Sequence, residues 1–157
     1  WVTAPETKLQ QCNILKVDIF FTPSSENRED IAHSAVSCEN MTGCVYSYHI
    51  IRLRLKVEWD FNFRAYVFKA NHFLKQAYRL CAGSGQRYVL SQDNFRSMTV
   101  RVPDLETQKK IGAYFEKADR EIKLLRALAE KYRTQKRGLM QKLLSGQWRL
   151  SDKKEAA

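Results

Sequence analysis

The hydrophobic pattern is clearest between Asp104 and Gly146, where apolar or small residues recur in alternating steps of four and three. This spacing is typical of a coiled-coil seam and predicts one long helix, capped by Asp104 and ended by Gly146. The seam positions are Ile111, Phe115, Ala118, Ile122, Leu125, Ala129, Tyr132, Leu139 and Leu143.

A helix of this length would extend roughly 60 Å, because each residue adds about 1.5 Å. A small domain cannot cover that length with its own core, so we expect part of the seam to meet a second helix from another chain. Lys136 lies on the seam and Gly138 follows it. Glycine weakens a helix interior, so a bend or a change of partner is predicted there.

Shorter patterns before the helix predict a small mixed domain. Polar and apolar residues alternate over 46–57, as in a half-buried strand that turns Arg52, Arg54 and Lys56 outward. Asp60 or Asn62 is predicted to cap a helix that runs to about Cys81. The other predicted elements are strands at 14–21, 32–38 and 97–102, a polar loop at 24–30 and a turn at 39–43. The fold class is therefore α+β: a mixed domain (1–103), a long coiled-coil-forming helix (104–146) and a tail (147–157).

Two polar segments, 24–30 and 82–95, carry side chains that suit base edges and phosphates. Gly83 and Gly85 allow the backbone to turn or to approach a ligand closely. Turn capping and simple solvation are the alternatives for these residues, and turn capping is favoured for Ser91 and Asp93. The candidate DNA-contacting residues are Ser25, Asn27, Arg28, Arg52, Arg54, Gln86, Arg87, Tyr88, Gln92 and Asn94.

The charge balance favours a polyanionic partner. Lys and Arg number 27 against 17 Asp and Glu, which gives a net charge of +10. A generically basic, soluble surface is the alternative. No apolar run approaches the ~18–20 residues of a membrane span, so a cytoplasmic protein without membrane contact is expected. The chain begins with Trp1 rather than Met, which suggests a processed or partial chain.

Catalytic and metal-binding motifs are missing from the sequence. Its three prolines are isolated, whereas an amino-directed DNA methyltransferase needs a Pro-Pro pair beside its Asn or Asp. Asp104, Glu121 and Lys123 match the letters of a nuclease motif, but one helix would separate them by about 25 Å. Cys12, Cys38, Cys44 and Cys81 form no CxxC pair, and the spacing of Cys38 and Cys44 from His33 and His49 fits no zinc pattern. We therefore expect reduced thiols, no bound metal or cofactor, and a chain that is not itself an enzyme.

Several segments resemble the specificity subunits of type I restriction-modification systems. The segments are DIFFTPSSEN (18–27), YSYHIIRLR (46–54), GSGQRYVLSQDNF (83–95), VPDLETQKKIGAYFEKADREIKLL (102–125) and LMQKLLSGQWR (139–149). In that family each subunit holds two target recognition domains and two long helices that pair antiparallel as a spacer. The chain looks like one half of such a subunit.

The resemblance implies a non-catalytic module that reads half of a bipartite site in double-stranded DNA. Its long helix would dock methyltransferase subunits, which bind S-adenosylmethionine, and restriction subunits would join the full complex. A half-subunit could also form a homodimer through the helix, and its target would then be palindromic.

Two features depart from the family pattern. The recognition domain is shorter than usual, as if truncated at its N-terminus, and Val17 precedes Asp18 where the family commonly has Gly. A different class therefore stays open: a coiled-coil assembly protein whose basic surface contacts a protein and does not read DNA.

Overall fold

The computed structural model describes residues 3–150, and the chain divides into two units after Phe115. Its elements are helix α1 (Glu6–Gln11), strands β1 (Asn13–Ile14), β2 (Ile19–Phe21), β3 (Ser24–Ser25), β4 (Ser34–Val36), β5 (Met41–Val45) and β6 (Ile51–Leu53), helices α2 (Phe61–Val67) and α3 (Asn71–Leu80), strands β7 (Ala82–Ser84) and β8 (Arg87–Val89), and helices α4 (Gln92–Ser97) and α5 (Leu105–Leu144). A 3-10 turn covers Arg28–Asp30. This order of small strands and helices followed by one long helix confirms the predicted α+β class.

The core of the first unit is built on strand β2, the middle strand of the antiparallel sheet β4-β2-β6. Ile19 and Phe21 are buried on one face of this strand, as strand alternation requires. The Phe21 ring lies 5.1 Å from the Phe68 ring and 4.8 Å from the Phe95 ring, both in edge-to-face geometry. Burial of each such side chain is worth about 1.5–3 kcal/mol, so this aromatic cluster holds the sheet against the helices.

Two predicted strands are shorter than expected. The predicted strand 14–21 is divided into β1 and β2, because Val17 adopts φ 66° and turns the chain between them. The predicted strand 46–57 is limited to Ile51–Leu53. A turn occupies its first part, where the Ile50 N–H donates to the Ser47 carbonyl (3.0 Å).

Two other predictions of local structure are wrong. The predicted turn 39–43 lies largely in strand β5, which pairs with β1 and accommodates Gly43 at φ 75°. The predicted strand 97–102 does not form. Helix α4 ends at Ser97, and the segment after it alternates because Met98 and Val100 pack against the core. Alternation there reports burial rather than strand pairing.

The predicted helix from Asp60 to Cys81 is two helices. Asp60 caps α2 as expected, since its Oδ1 accepts a hydrogen bond from the Phe63 N–H (2.8 Å). The extended conformation of Ala70 (φ −67°, ψ 139°) then interrupts the helical backbone before α3 begins. Periodicity alone did not reveal this break, because both helices place apolar residues toward the same core.

An ion pair between a buried carboxylate and a partly exposed guanidinium lies next to strand β2. Asp18 is 1% exposed and accepts hydrogen bonds from Arg54 Nε and Nη2 (both 2.6 Å) and from the Leu15 N–H (2.8 Å). Burial raises the pKa of Asp18, but these hydrogen bonds and the charges of Arg54 and Arg52 outweigh it, so that the pKa lies below its usual value. The same contacts raise the pKa of Arg54.

Val17 holds the loop before Asp18 in a conformation that suits glycine. Its φ of 66° is left-handed, which costs a β-branched residue roughly 1–2 kcal/mol. The strain is held by hydrogen bonds, since its N–H donates to the Ser37 carbonyl (2.9 Å) and its own carbonyl accepts from Arg64 Nη1 (2.8 Å). The resemblance predicts glycine at this position, and the left-handed backbone explains why glycine would suit it.

The first turns of helix α5 belong to the first unit. Asp104 caps the helix as predicted, since its Oδ1 accepts from the Thr107 N–H (2.9 Å). Gln108 is buried and its Oε1 accepts from the Asp60 N–H (3.1 Å). Gly112 is also buried, and a Cβ there would overlap Asp60 Oδ1. The compact unit therefore extends into the helix as far as Phe115, beyond the predicted boundary at 103.

The second unit consists of the remainder of α5 and its end. The helix is continuous through Lys136 and Gly138, where a bend or a change of partner was predicted. Gly146 adopts φ 74° and follows the end of the helix, as expected for a left-handed terminating glycine. Within residues 3–150, none of the helices combines the length and the hydrophobicity needed to cross a lipid bilayer.

Candidate nucleic-acid interface

The structure brings the two predicted polar segments together in a separate antiparallel sheet. Strand β3 pairs with β8, so that Ser25 lies opposite Tyr88. Strand β8 also pairs with β7, so that Ser84 lies opposite Arg87. Segments about sixty residues apart in the sequence therefore share one edge of the first unit.

The β7–β8 hairpin presents Gln86 in its turn and Arg87 at the start of β8 to solvent. Both residues are exposed, and no hydrogen bond or ion pair of either side chain is found within residues 3–150. The backbone depends on glycine: Gly85 has φ 40°, and at Gly83 (φ 137°) a Cβ would overlap the Arg87 carbonyl. A guanidinium and an amide at an exposed turn have the donors and acceptors that base edges require.

Arg28 lies beneath this turn and is held by several contacts. Its Nη2 donates to the Cys81 carbonyl (3.2 Å) and its Nε to Cys81 Sγ (3.4 Å). Its guanidinium carbon lies 4.7 Å from the Tyr78 ring centre and 5.7 Å from the Tyr88 ring centre. The hydrogen bond to Cys81 and the neighbouring sulfur and phenol groups raise the pKa of Arg28. We call Arg28, Tyr78, Cys81 and Tyr88 the arginine brace, because these side chains join the 3-10 turn, α3 and β8.

Ser25 and Asn27 shape the loop beside the brace. Ser25 Oγ accepts from the Asn27 N–H (3.2 Å), and Asn27 Nδ2 donates to Asp30 Oδ2 (3.1 Å). A hollow of about 380 Å³ lies here, lined by Arg28, Tyr78 and Tyr88 but also by Glu26, Glu29 and Asp30. The mixed charge makes this hollow itself a poor phosphate site, so the basic character of the interface lies in the turn above it.

Asn94 and Gln92 lie on helix α4, outside the hairpin. Asn94 Nδ2 donates to the Leu80 carbonyl (2.7 Å), which gives it a structural role between α3 and α4. Ser91 Oγ accepts from the Asn94 N–H (3.1 Å), so the capping role favoured for Ser91 is confirmed. Asp93 pairs instead with Arg96 (3.1 Å) in an exposed ion pair.

The basic row predicted on the strand 46–57 is not a free row of charges, and of its members only Arg52 lies on β6. Arg54 is committed to Asp18, and Arg52 Nη1 donates to the Asn13 carbonyl (2.9 Å) and to Asn13 Oδ1 (3.1 Å). Arg52 also lies over the Tyr46 ring (5.2 Å). Both arginines therefore hold the fold together, and whether either also contacts DNA stays a prediction.

Sequence reasoning did not identify Tyr78 and Cys81 as parts of the interface. Cys81 was expected only at the apolar end of a helix and as a free thiol, and the sequence pattern gave no role to Tyr78, which lies on α3. The contact with Arg28 joins positions 53 residues apart, and no local pattern encodes such a pairing.

The cysteine and histidine residues considered for zinc are not gathered into one cluster within residues 3–150. Across the described part of the chain, no group of three or more His, Cys, Asp or Glu side chains is close enough to hold an ion. Cys38 and Cys44 are exposed, and the four cysteines are free thiols.

Comparison with protein families identifies the family of the chain. The sequence model of the type I restriction modification DNA specificity domain matches residues 6–131, well over half of the chain. The chain belongs to this family. As a specificity domain it acts in DNA recognition within a type I restriction-modification system, and such domains are in general non-catalytic. Comparisons with curated proteins and with solved structures found no match.

Proposed function

We propose that this specificity domain reads one half of a bipartite DNA target through the β7–β8 hairpin and its neighbour β3. The observation that carries the proposal is the pairing of β3 with β8, which places two polar segments beside one exposed turn. Gln86 and Arg87 at that turn are the residues that would contact base edges. Ser25, Asn27 and Tyr88 would support the turn or contact the adjacent backbone.

Electrostatics supports a duplex as the partner. The net charge of +10 attracts phosphates from any sequence, whereas discrimination between bases must come from groups that reach the groove. Arginine and glutamine can each form two hydrogen bonds to one base, which is worth about 1–3 kcal/mol of discrimination. Long-range attraction and short-range reading would thus come from different residues.

Helix α5 would serve as the spacer and docking element. From Ile122 onward its seam residues are exposed, among them Leu125 (57%) and Tyr132 (62%). An antiparallel helix from a second half-subunit, or from the other half of a complete subunit, would cover such a seam. Methyltransferase subunits carrying S-adenosylmethionine would dock on this spacer, and restriction subunits would complete the assembly.

The exposed seam also favours the second candidate function, a coiled-coil assembly protein that does not read DNA. That protein would still bind nucleic acid weakly through its charge. The two functions differ in sequence preference and not in binding as such.

Selection from a pool of random-sequence duplexes tests the proposal. The full chain, with methyltransferase subunits added in a parallel arm, should enrich one motif. Affinity measured by fluorescence anisotropy should fall steeply as salt rises, because phosphate contacts release counterions. The double variant Gln86→Ala/Arg87→Ala should lose about fivefold to a hundredfold in affinity for the selected duplex relative to a scrambled one.

Arg101→Ala provides the matched control, since it removes one exposed positive charge of the same unit at a position that lines a different hollow, with His72, Thr99 and Val100. It should weaken both duplexes equally and leave the preference intact. If the double variant behaves like Arg101→Ala, the hairpin does not read bases. If no motif is enriched in either arm, the assembly function is favoured.

A further inference from the structure

A second hollow in the first unit has a different chemistry from the hollow beside the hairpin. It encloses about 630 Å³ between α1, residues 45–53 and α4. This volume lies within the range of about 300–1,000 Å³ that is usual for small-molecule sites. Its function does not follow from the role proposed for the hairpin, which lies on another sheet.

Three cations line this hollow, and the carboxylate of Asp93, which pairs with Arg96, is not among its lining residues. Lys8, Arg52 and Arg96 contribute to its wall, whereas no Asp or Glu is among its lining residues in the described part of the chain. The hollow beside the hairpin combines one arginine with three carboxylates. An anionic ligand is therefore favoured in the hollow beside α1 and α4, and not in the hollow beside the hairpin.

The three cations differ in how firmly they are held. Arg52 is fixed by Asn13 and by the ring of Tyr46. Arg96 contacts Asp93 (3.1 Å) and, through Nη2, Gln92 Oε1 (3.4 Å), but 70% of its side chain is exposed, and exposed contacts of this kind contribute little. Arg96 can therefore turn toward an incoming anion at small cost.

The rest of the wall is apolar and aromatic. Phe95 lines the hollow and is fixed in place by Phe21, whose ring lies 4.8 Å away. Ile50 and Leu53 extend the same surface. Apolar walls with a few placed charges are typical of sites that take a flat organic group with an ionic end.

Tyr48 completes the arrangement at the open edge. It lines the hollow although 87% of it is exposed, and its ring lies 3.9 Å from that of His49. An exposed aromatic ring beside cations offers a surface on which a nucleobase stacks, and stacking is worth about 1–3 kcal/mol per base.

We propose that this hollow binds a nucleotide, with its base against Tyr48 and the apolar wall and its phosphate near Lys8 and Arg96. Two sources share this chemistry: a free nucleotide, and an unpaired nucleotide turned out of a DNA strand. The site is separate from the hairpin, so each can fail without the other.

Calorimetric titration of the full chain tests the proposal. The probes are adenosine monophosphate, inorganic phosphate, and two duplexes that carry 2-aminopurine either extrahelically or paired. We expect adenosine monophosphate or the extrahelical duplex to bind more tightly than phosphate or the paired duplex. Tyr48→Ala should weaken that binding about fivefold to a hundredfold, as expected for a lost stacking contact.

The double variant Lys8→Ala/Arg96→Ala should weaken binding of adenosine monophosphate or of the extrahelical duplex. It should also bind inorganic phosphate more weakly than the wild type does. Arg101→Ala, which removes a charge elsewhere, should leave nucleotide binding unchanged. Binding of free adenosine monophosphate identifies a nucleotide ligand from solution, and binding of the extrahelical duplex alone identifies one within a strand; either result supports the proposal. Failure of both probes, or binding that neither pocket variant alters, overturns it, and so does phosphate binding as tight as that of adenosine monophosphate.

The two proposals are separated by crossing the variants. Gln86→Ala/Arg87→Ala should keep its nucleotide binding, and Tyr48→Ala should keep its preference for the selected paired duplex. Loss of nucleotide binding in the hairpin variant would contradict the proposal that the nucleotide site is separate from the hairpin.

Discussion

The two units differ in how much of their apolar surface is covered by their own residues. In the first unit Ile19 and Phe21 are almost fully buried, and even Ile111 on helix α5 packs against that core. In the second unit, positions of the same seam, Ile122 and Leu125, are 46% and 57% exposed. One periodic pattern therefore meets two different environments along a single helix. Its first part packs against the core of its own domain, and its second part stays exposed in the single chain.

The largest effect is expected where a charge is placed on the exposed part of the seam. Leu125→Asp removes a side chain whose burial in a paired helix is worth about 1.5–3 kcal/mol per copy, and it puts a carboxylate in its place. An oligomer of the chain should therefore dissociate, with an association constant lowered by more than about a hundredfold. Light scattering measures the mass, and circular dichroism should report a first unit that is still folded.

Leu124→Asp is the matched control, because Leu124 is exposed (64%) but lies one residue off the seam. It should leave the mass of the oligomer unchanged. An equal loss in both variants, or a wild-type chain that is already monomeric, would argue against pairing between copies.

The next effect concerns only the first unit. Asp18→Asn breaks the ion pair with Arg54 and leaves a guanidinium without its carboxylate, which should lower the free energy of unfolding by about 2–4 kcal/mol. Urea unfolding measures the loss. Asp93→Asn breaks an exposed pair and should cost less than about 0.5 kcal/mol. Similar losses in the two variants would contradict a special role for the buried pair.

The pH dependence of the same variant gives an independent readout. Because the pKa of Asp18 is lowered on folding, its contribution to stability is present above the ordinary aspartate pKa and is lost as the pH falls through the lower folded-state value. Asp18→Asn removes this contribution. The variant should therefore lose less stability than the wild type when urea unfolding is repeated at progressively acid pH.

A smaller effect distinguishes two glycines of helix α5. At Gly112 a Cβ would overlap Asp60 Oδ1, the atom that caps α2, so Gly112→Ala should destabilise the first unit by about 1–3 kcal/mol. At Gly138 a Cβ meets no heavy atom within 4 Å. Gly138→Ala should instead stabilise the helix by about 1 kcal/mol. Thermal unfolding followed by circular dichroism compares the two, and a loss at Gly138 would indicate a contact that the single chain lacks.

The sequence was sufficient for the features that depend on local chemistry. The Asp104 cap, the length of α5 and the left-handed Gly146 follow from residue types at neighbouring positions. Local reasoning was wrong about residues 97–102, where Met98 and Val100 alternate because they reach the core from an extended segment without a neighbouring strand. Alternation predicts which side chains are buried, and it does not say what pairs with the backbone.

The sequence suggested candidate residues for the site, but it did not show which of them are exposed and which hold the fold together. Residue types placed Gln86, Arg87 and Arg28 among the candidate DNA contacts, with Gln86 and Arg87 as the strongest because of the neighbouring glycines. The structure separates them, since Gln86 and Arg87 are exposed at the turn whereas Arg28 is occupied by Cys81 and two tyrosine rings. This distinction depends on contacts between segments far apart in the sequence, which no single stretch of the sequence contains.

The arginine brace has a consequence for how such a protein can change. It joins the 3-10 turn, α3 and β8 through contacts of Arg28 with Cys81, Tyr78 and Tyr88. Gln86 and Arg87 take no part in these contacts. Residues at the tip can therefore be exchanged for others without loosening the frame that carries them. Substitutions at Gln86 and Arg87 should therefore leave the stability of the first unit nearly unchanged.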